Sequence, residues 1–141
     1  MTRAASHIIA LLSLLTMSQT IQAQVFSAMS EAKRNAALIR IAKKVYYHPV
    51  FKDIFDKCGD NGKPTIRSYV VSKDAPRSPL TKGKDIGELQ YEVIFYSNKD
   101  EKYGKVRAAR IIISDKMGAA WTAIFGIRPV YTRWNTPEAF E

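Results

Sequence analysis

Two apolar runs joined by a short charged loop, "YEVIFYSNKDEKYGKVRAARIIIS" from Tyr91 to Ser114, constrain the fold of this chain more than any other stretch. Apolar and polar residues alternate through much of both runs, which is the period of a half-buried β-strand. They pair as a hairpin, Glu88–Ser97 with Gly104–Ser114, turning around Lys99–Tyr103. Setting Tyr96 opposite Lys105 aligns Leu89, Tyr91, Val93 and Phe95 with Val106, Ala108, Arg110 and Ile112. A second hairpin turns at "DKMG", where Gly118 is suited to a positive φ. With Ser114 opposite Ala119, the residues Trp121, Ala123, Phe125 and Ile127 join the same face. Two independently placed turns then give one shared apolar face, as a real sheet requires.

Arg110 is the exception on that face, with Tyr91 and Ala123 as its expected cross-strand neighbours. A guanidinium buried without a partner is very costly. Either it pairs internally, with an acid such as Glu31 or Asp56, or reaches out past a helix end, or it lines a pocket. In the pocket reading Arg110 anchors a carboxylate or other anion and Tyr91 and Trp121 form the walls; the planar fork suits that role better than a lysine.

Elsewhere, Ser27 to Tyr47 reads as a helix with Ser27 or Ser30 as N-cap. Leu38, Ile39, Ile41, Ala42, Val45 and Tyr46 fall on one arc, opposite a basic arc that includes Lys33, Arg40 and Lys44. Pro49 interrupts it, and a short second helix through Phe51, Ile54 and Phe55 precedes the breaker run "CGDNGKP". Thr65–Ser72 reads as a strand rich in Val and Tyr. The connection 73–87, "KDAPRSPLTKGKDIG", has no clear period and is either functional or a mobile excursion. The expected fold is α+β: an N-terminal amphipathic helix, with a short second helix, packed on one face of an antiparallel sheet of about four strands.

The first 23 residues are expected to be a cleaved signal peptide. Arg3 gives a positive start, "IIALLSLL" is too short to span a membrane, and cleavage falls after Ala23. The mature domain is then 24–141, of a size for one core, exported to a periplasmic or extracellular setting with no transmembrane segment. Losing Arg3 from 22 basic residues leaves 21 against 13 acidic ones, a formal charge of +8. That balance favours anionic partners. Cys58 stands alone, so no intrachain disulfide forms and the core must hold the fold. Its thiol is either buried and inert or free to bridge to another chain.

His7 leaves with the signal, so His48 is the one histidine of the mature chain and a multi-histidine metal site is not expected. His48 and Cys58 are the only conceivable thiol dyad, and nothing marks the thiol as activated. No Gly-rich phosphate loop or "GxSxG" elbow occurs, and "DIFDKCGDNG" lacks the alternate oxygen ligands of a calcium loop. No cofactor is expected, and nucleic acid is not the expected partner of an exported chain, although "KKVYYHP" interleaves basic and aromatic residues. A helix followed by an antiparallel meander resembles the cystatin plan and, more loosely, the nuclear-transport-factor-like cone folds, in shape only. The hairpins here are "SNKDEKYG" and "SDKMG", not the "QxVxG" of cystatin inhibitors, and neither Trp121 nor Trp134 follows a proline. No inhibitory residue carries over, and shape does not confer function.

The functional expectation is a non-catalytic binding module for an anionic ligand or protein partner. The ligand side is assigned to Arg110, Tyr91 and Trp121, and a basic surface to Lys33, Arg40 and Lys44. The reverse sheet face, with Ile94, Ile111 and Ile124, is too apolar to be simply solvated, and is assigned to the C-terminal tail or a second copy. The alternatives are a small pocket enzyme using carboxylates and Arg110, and an envelope-associated assembly protein. A concave, water-poor pocket holding Arg110 and at least one carboxylate would favour the enzyme; a flat, filled core would favour binding alone.

Overall fold

The computed structural model of the protein describes residues 25–75, 81–99, 107–126 and 129–141. The segment expected to be cleaved, the Lys105 and Val106 of the expected first hairpin, and Ile127 lie outside these described residues.

Helix α1 runs from Glu31 to Tyr46 and buries Leu38, Ala42, Val45 and Tyr46, the stripe that a 3.6-residue period brings together. Glu31 in its first turn and Lys43 and Lys44 in its last complement the helix dipole. Ser30 precedes it without a side-chain cap. Ser27, the other cap candidate, instead ties the preceding segment to the sheet. Its amide and hydroxyl donate to the two carboxylate oxygens of Asp115, each at 2.9 Å. After Tyr47 the chain turns through a 3₁₀ segment, Pro49–Phe51, into the short helix α2, Lys52–Cys58. His48 secures that join by accepting the Val50 amide on Nδ1 at 3.3 Å. α2 stops at Gly59, whose φ of 61° few other residues adopt cheaply. The Gly59 carbonyl accepts the buried Tyr46 hydroxyl at 2.7 Å, which links the two helices.

Both helices pack on an open antiparallel sheet of five strands: β1 (Thr65–Val70), β2 (Leu89–Tyr96), β3 (Arg107–Ser114), β4 (Ala119–Phe125) and β5 (Val130–Thr132). The strands follow one another as a meander, so the fold is α+β as the periodicity predicts. The fifth strand is the addition, and it comes from the tail. Val93, Phe95, Ile111, Ile113, Ala123 and Phe125 form the helix-facing core, and Tyr46 lies 4.7 Å from Phe95 between ring centroids.

The register of the first hairpin differs from the expected one. Tyr91 pairs with Ile113 rather than Arg110, and Arg110 pairs with Ile94. The slip is an odd number of residues, so it turns every β3 side chain to the other face. Ala109, Ile111 and Ile113 now meet the helix, while Arg110 and Ile112 face away from it. Burial explains the choice: two isoleucines take the core positions that an arginine and one isoleucine would otherwise hold. Two β-bulges accommodate the slip, one at Phe95/Tyr96 and one at Ile112/Ile113. The second leaves Trp121 as the extra residue of β4, so Ser114 still opposes Ala119 as predicted, yet Ala123 meets Ile111 instead of Arg110. Ile111, assigned to the reverse face by sequence, is therefore fully buried under the helices.

The tail is also placed differently. Tyr131 packs against Phe51 and Phe125, and Phe140 joins the core on the helix side. Only Val130 and Trp134 of the tail's apolar residues turn toward the reverse face, where Trp134 meets Trp121 edge-on at 5.8 Å.

The helix junction carries a pH prediction. Burial holds the Tyr46 phenol well above its ordinary value of 10, with the Cys58 and Asp60 charges adding to the effect. Tyr47 is pushed up to about 12 by burial, by its hydrogen bond to Asp60 and by the Asp60 charge. A phenol kept protonated in the folded state contributes its full stability below the unfolded value, and loses it as the pH rises through the folded value. Denaturation midpoints should therefore fall between pH 10 and about 12. Tyr46→Phe and Tyr47→Phe should each flatten the fall, and a wild-type midpoint constant over that interval would contradict the assignment.

Candidate functional site

Alternate residues of each strand point away from the helices, and the pairing lines them up in rows across the sheet. One row is Arg67, Glu92, Ile112, Thr122 and Thr132; the adjacent row is Ile94, Arg110, Ile124 and Val130. The connection between β1 and β2 has its two ends bonded together, Gly87 amide to Val71 carbonyl and Val71 amide to Glu88 carbonyl. Val71, Ala75, Asp85 and Ile86 line one side of a cavity of about 380 Å³ on this face. Its floor is Gln90, Glu92, Arg110 and Ile112, and its sides are Arg67 and Tyr69 on β1 and Trp121, Thr122 and Ile124 on β4. These described residues of the connection belong to or adjoin the aperiodic segment 73–87, and they meet the face assigned from sequence to the tail or a second copy.

Glu92 is the centre of charge. Its side chain is 2% exposed and lies between two guanidinium groups. Arg67 bonds one oxygen through Nε, and a terminal nitrogen of Arg110 lies 3.4 Å from the other. The internal acid that meets Arg110 is thus Glu92 and not Glu31 or Asp56, the latter being paired with Lys52. A buried carboxylate survives only when its oxygens are matched in this way. Asp85 is a second acid of the cavity, so among the described residues the charged groups that line it are two of each sign. Next to Glu92, Gln90 accepts the Tyr69 hydroxyl at 3.0 Å. Burial raises the Tyr69 phenol, the Glu92 charge raises it further, and Arg67 pulls it back.

The β4 side of the cavity is different, because its polar atoms have nothing to bond. The bulge turns Trp121 out of the alternation and beside Thr122, and both residues are buried. Trp121 Nε1 and Thr122 Oγ1 are buried without a hydrogen-bond partner. Native proteins pair nearly all such groups, so two unpaired ones on adjacent residues call for an explanation.

Of the residues assigned from sequence, Arg110 and Trp121 share the cavity. Tyr91 does not; it lies on the helix side, edge-on to Phe26 at 6.0 Å. Ile124 lines the cavity, Ile94 is buried on the same face, and Ile111 is across the sheet in the core. Lys33, Arg40 and Lys44 are exposed along α1, in the layer on the other side of the sheet. Glu92, Thr122, Arg67 and Tyr69 were missed as site residues. A signal existed: Arg67, Glu92 and Arg110 each interrupt an apolar strand, and three charges in three neighbouring strands invite a register that joins them. The cavity holds Arg110 with carboxylates, which is one part of the arrangement expected of a catalytic pocket; it is partly open rather than sealed from water. Cys58 packs at the edge of the core and no hydrogen bond joins it to His48. Among the described residues no group of three His, Cys, Asp or Glu side chains could hold a metal, and no helix is long and apolar enough to cross a membrane. Compared with known protein families, with curated proteins and with solved structures, the chain matches none of them.

Proposed function

We propose that the protein is an exported binding domain whose reverse-face cavity takes a small, partly apolar ligand carrying hydrogen-bond acceptors. The observation that carries this reading is the cavity itself, whose lining includes two adjacent residues, Trp121 and Thr122, with buried polar atoms that lack a partner. An indole N–H is only a donor, and a hydroxyl gives and accepts, so a ligand acceptor completes both once it displaces the side chains that cover them. The volume suits the role, since small-molecule sites begin near ~300 Å³ and are mostly apolar with a few placed polar groups. Catalysis is the second reading, favoured by the presence of Glu92 and Asp85 beside Arg110. Glu92 fits it poorly, because a carboxylate facing a guanidinium at each oxygen is an anchor rather than a mover of protons.

Thr122→Val tests the binding reading before any ligand is known. Removing a buried hydroxyl that lacks a partner relieves a penalty of about 1 kcal/mol, so the ligand-free protein should become more stable by that order. Ligand affinity should fall at the same time. Urea melts of the ligand-free variant read the first half. A loss of stability would mean that the hydroxyl is satisfied within the protein, and the reading would lose its main support.

A further inference from the structure

Building on the binding reading above, we infer that the cavity is a slot for a planar aromatic carboxylate, its ring lying on Ile112 and its carboxylate turned toward Arg110. The shape comes from the floor and the side opposite it. Ile112 is 5% exposed on the cavity floor. Polar groups surround it: Glu92 and Thr122 flank Ile112 across the strands, and Arg110 is next but one along its own strand. Val71, Ala75 and Ile86 line the opposite side, which stays partly open because Ile86 is 42% exposed. An apolar patch ringed by polar groups matches a ring whose hydrogen-bonding atoms lie in its plane. A flexible chain would leave those edge groups unpaired.

The charge follows from how the two arginines divide the work. Arg67 neutralises Glu92 by direct contact through Nε. Arg110 reaches the same acid with one nitrogen at 3.4 Å, and its guanidinium makes no other hydrogen bond to the described residues, which leaves donors for a ligand. The other acid, Asp85, belongs to the connection that leaves the sheet where Val70 pairs with Leu89. Arg110 pairs with Ile94, toward the opposite end of β2. Among the described residues, Arg110 and Asp85 thus lie toward opposite ends of the slot, which favours an anion with its charge at the Arg110 end. A second ligand acceptor, such as a ring nitrogen, carbonyl or phenol oxygen, reaches Trp121 Nε1 and Thr122 Oγ1 once the side chains that cover them give way. A guanidinium with spare donors favours a carboxylate over its neutral isostere, because charge-assisted hydrogen bonds are roughly twice as strong as neutral ones.

Calorimetric titration of the mature chain with 6-hydroxy-2-naphthoate, its carboxamide and decanoate tests the assignment. The naphthoate should bind about tenfold tighter than the carboxamide, and decanoate should bind weakest. In Arg110→Gln that tenfold preference should shrink toward one while carboxamide affinity is kept, whereas simple loss of structure would weaken both aromatic probes alike. If Arg110→Gln does not fold, Arg110→Lys keeps a charge beside Glu92 and should show an intermediate preference. Equal affinity for naphthoate and carboxamide would overturn the anion, and tighter decanoate binding would overturn the planar ring; either result leaves the cavity as a binding site. Failure of all three probes overturns the slot assignment, and taken with no gain of stability in Thr122→Val it overturns the binding reading as well.

Discussion

Replacing Arg67 and Arg110 together by methionine should cost about 3–5 kcal/mol of stability, the usual cost of leaving a buried charge without partners. Glu92 sits at 2% exposure in the middle of β2, and among the described residues these two guanidinium groups are its ion-pair partners. Either arginine alone leaves one oxygen matched, so the single variants should be milder. Arg110→Met in particular should cost about 1.5 kcal/mol, the low end for one charge-assisted hydrogen bond, because Arg67 makes the closer contact. The same loss should largely disappear when Glu92→Leu is added to the double variant, since an apolar trio of similar volume has no charge left to desolvate. Urea denaturation of the three proteins checks the series. A double variant no weaker than Arg110→Met would show that Glu92 reaches water, and the cavity floor would not be as closed as its burial indicates.

A chain ended at Arg128 should fail to fold cooperatively. The cut removes β5, and with it Tyr131, Thr132, Ala139 and Phe140. Phe140 and Ala139 are core residues at 5% and 3% exposure, and Tyr131 packs between Phe51 and Phe125. Deleting one large buried aromatic costs about 3–5 kcal/mol, and a domain of this size has only about 5–15 kcal/mol in total. The cut also uncovers β4 as a new sheet edge and strips Trp134 from Trp121. Circular dichroism on heating should show no sharp transition, and the near-ultraviolet signal of packed aromatics should be lost. A truncated chain that melts at the temperature of the intact one would mean that the tail is an appendage and that the core closes without it.

The sequence by itself determined the two helices, the first four strands and their order; β5 in the tail it did not mark. α1 and its buried stripe were legible because apolar residues recur at the helical period from Leu38 to Tyr46. The breaks at Pro49 and around Gly59 were legible because proline and glycine act locally. Strand positions were legible from alternation, and the irregular 73–87 segment from its lack of it. What only the tertiary structure decided was which way β3 faces. Arg110 is followed by Ile111, Ile112 and Ile113, and three isoleucines in a row carry no alternation phase. Either phase buries apolar residues locally, so the choice falls to the helix layer, which accepts Ile111 and Ile113 and excludes a guanidinium. The bulges at Phe95/Tyr96 and Ile112/Ile113 that permit this have no signature in composition, since each is one extra residue set by pairing on both sides. Arg110 was therefore recognisable as a residue in need of a partner, but Glu92 became that partner, and Trp121 and Thr122 its neighbours, only when an odd slip in register carried all four to the same side of the sheet.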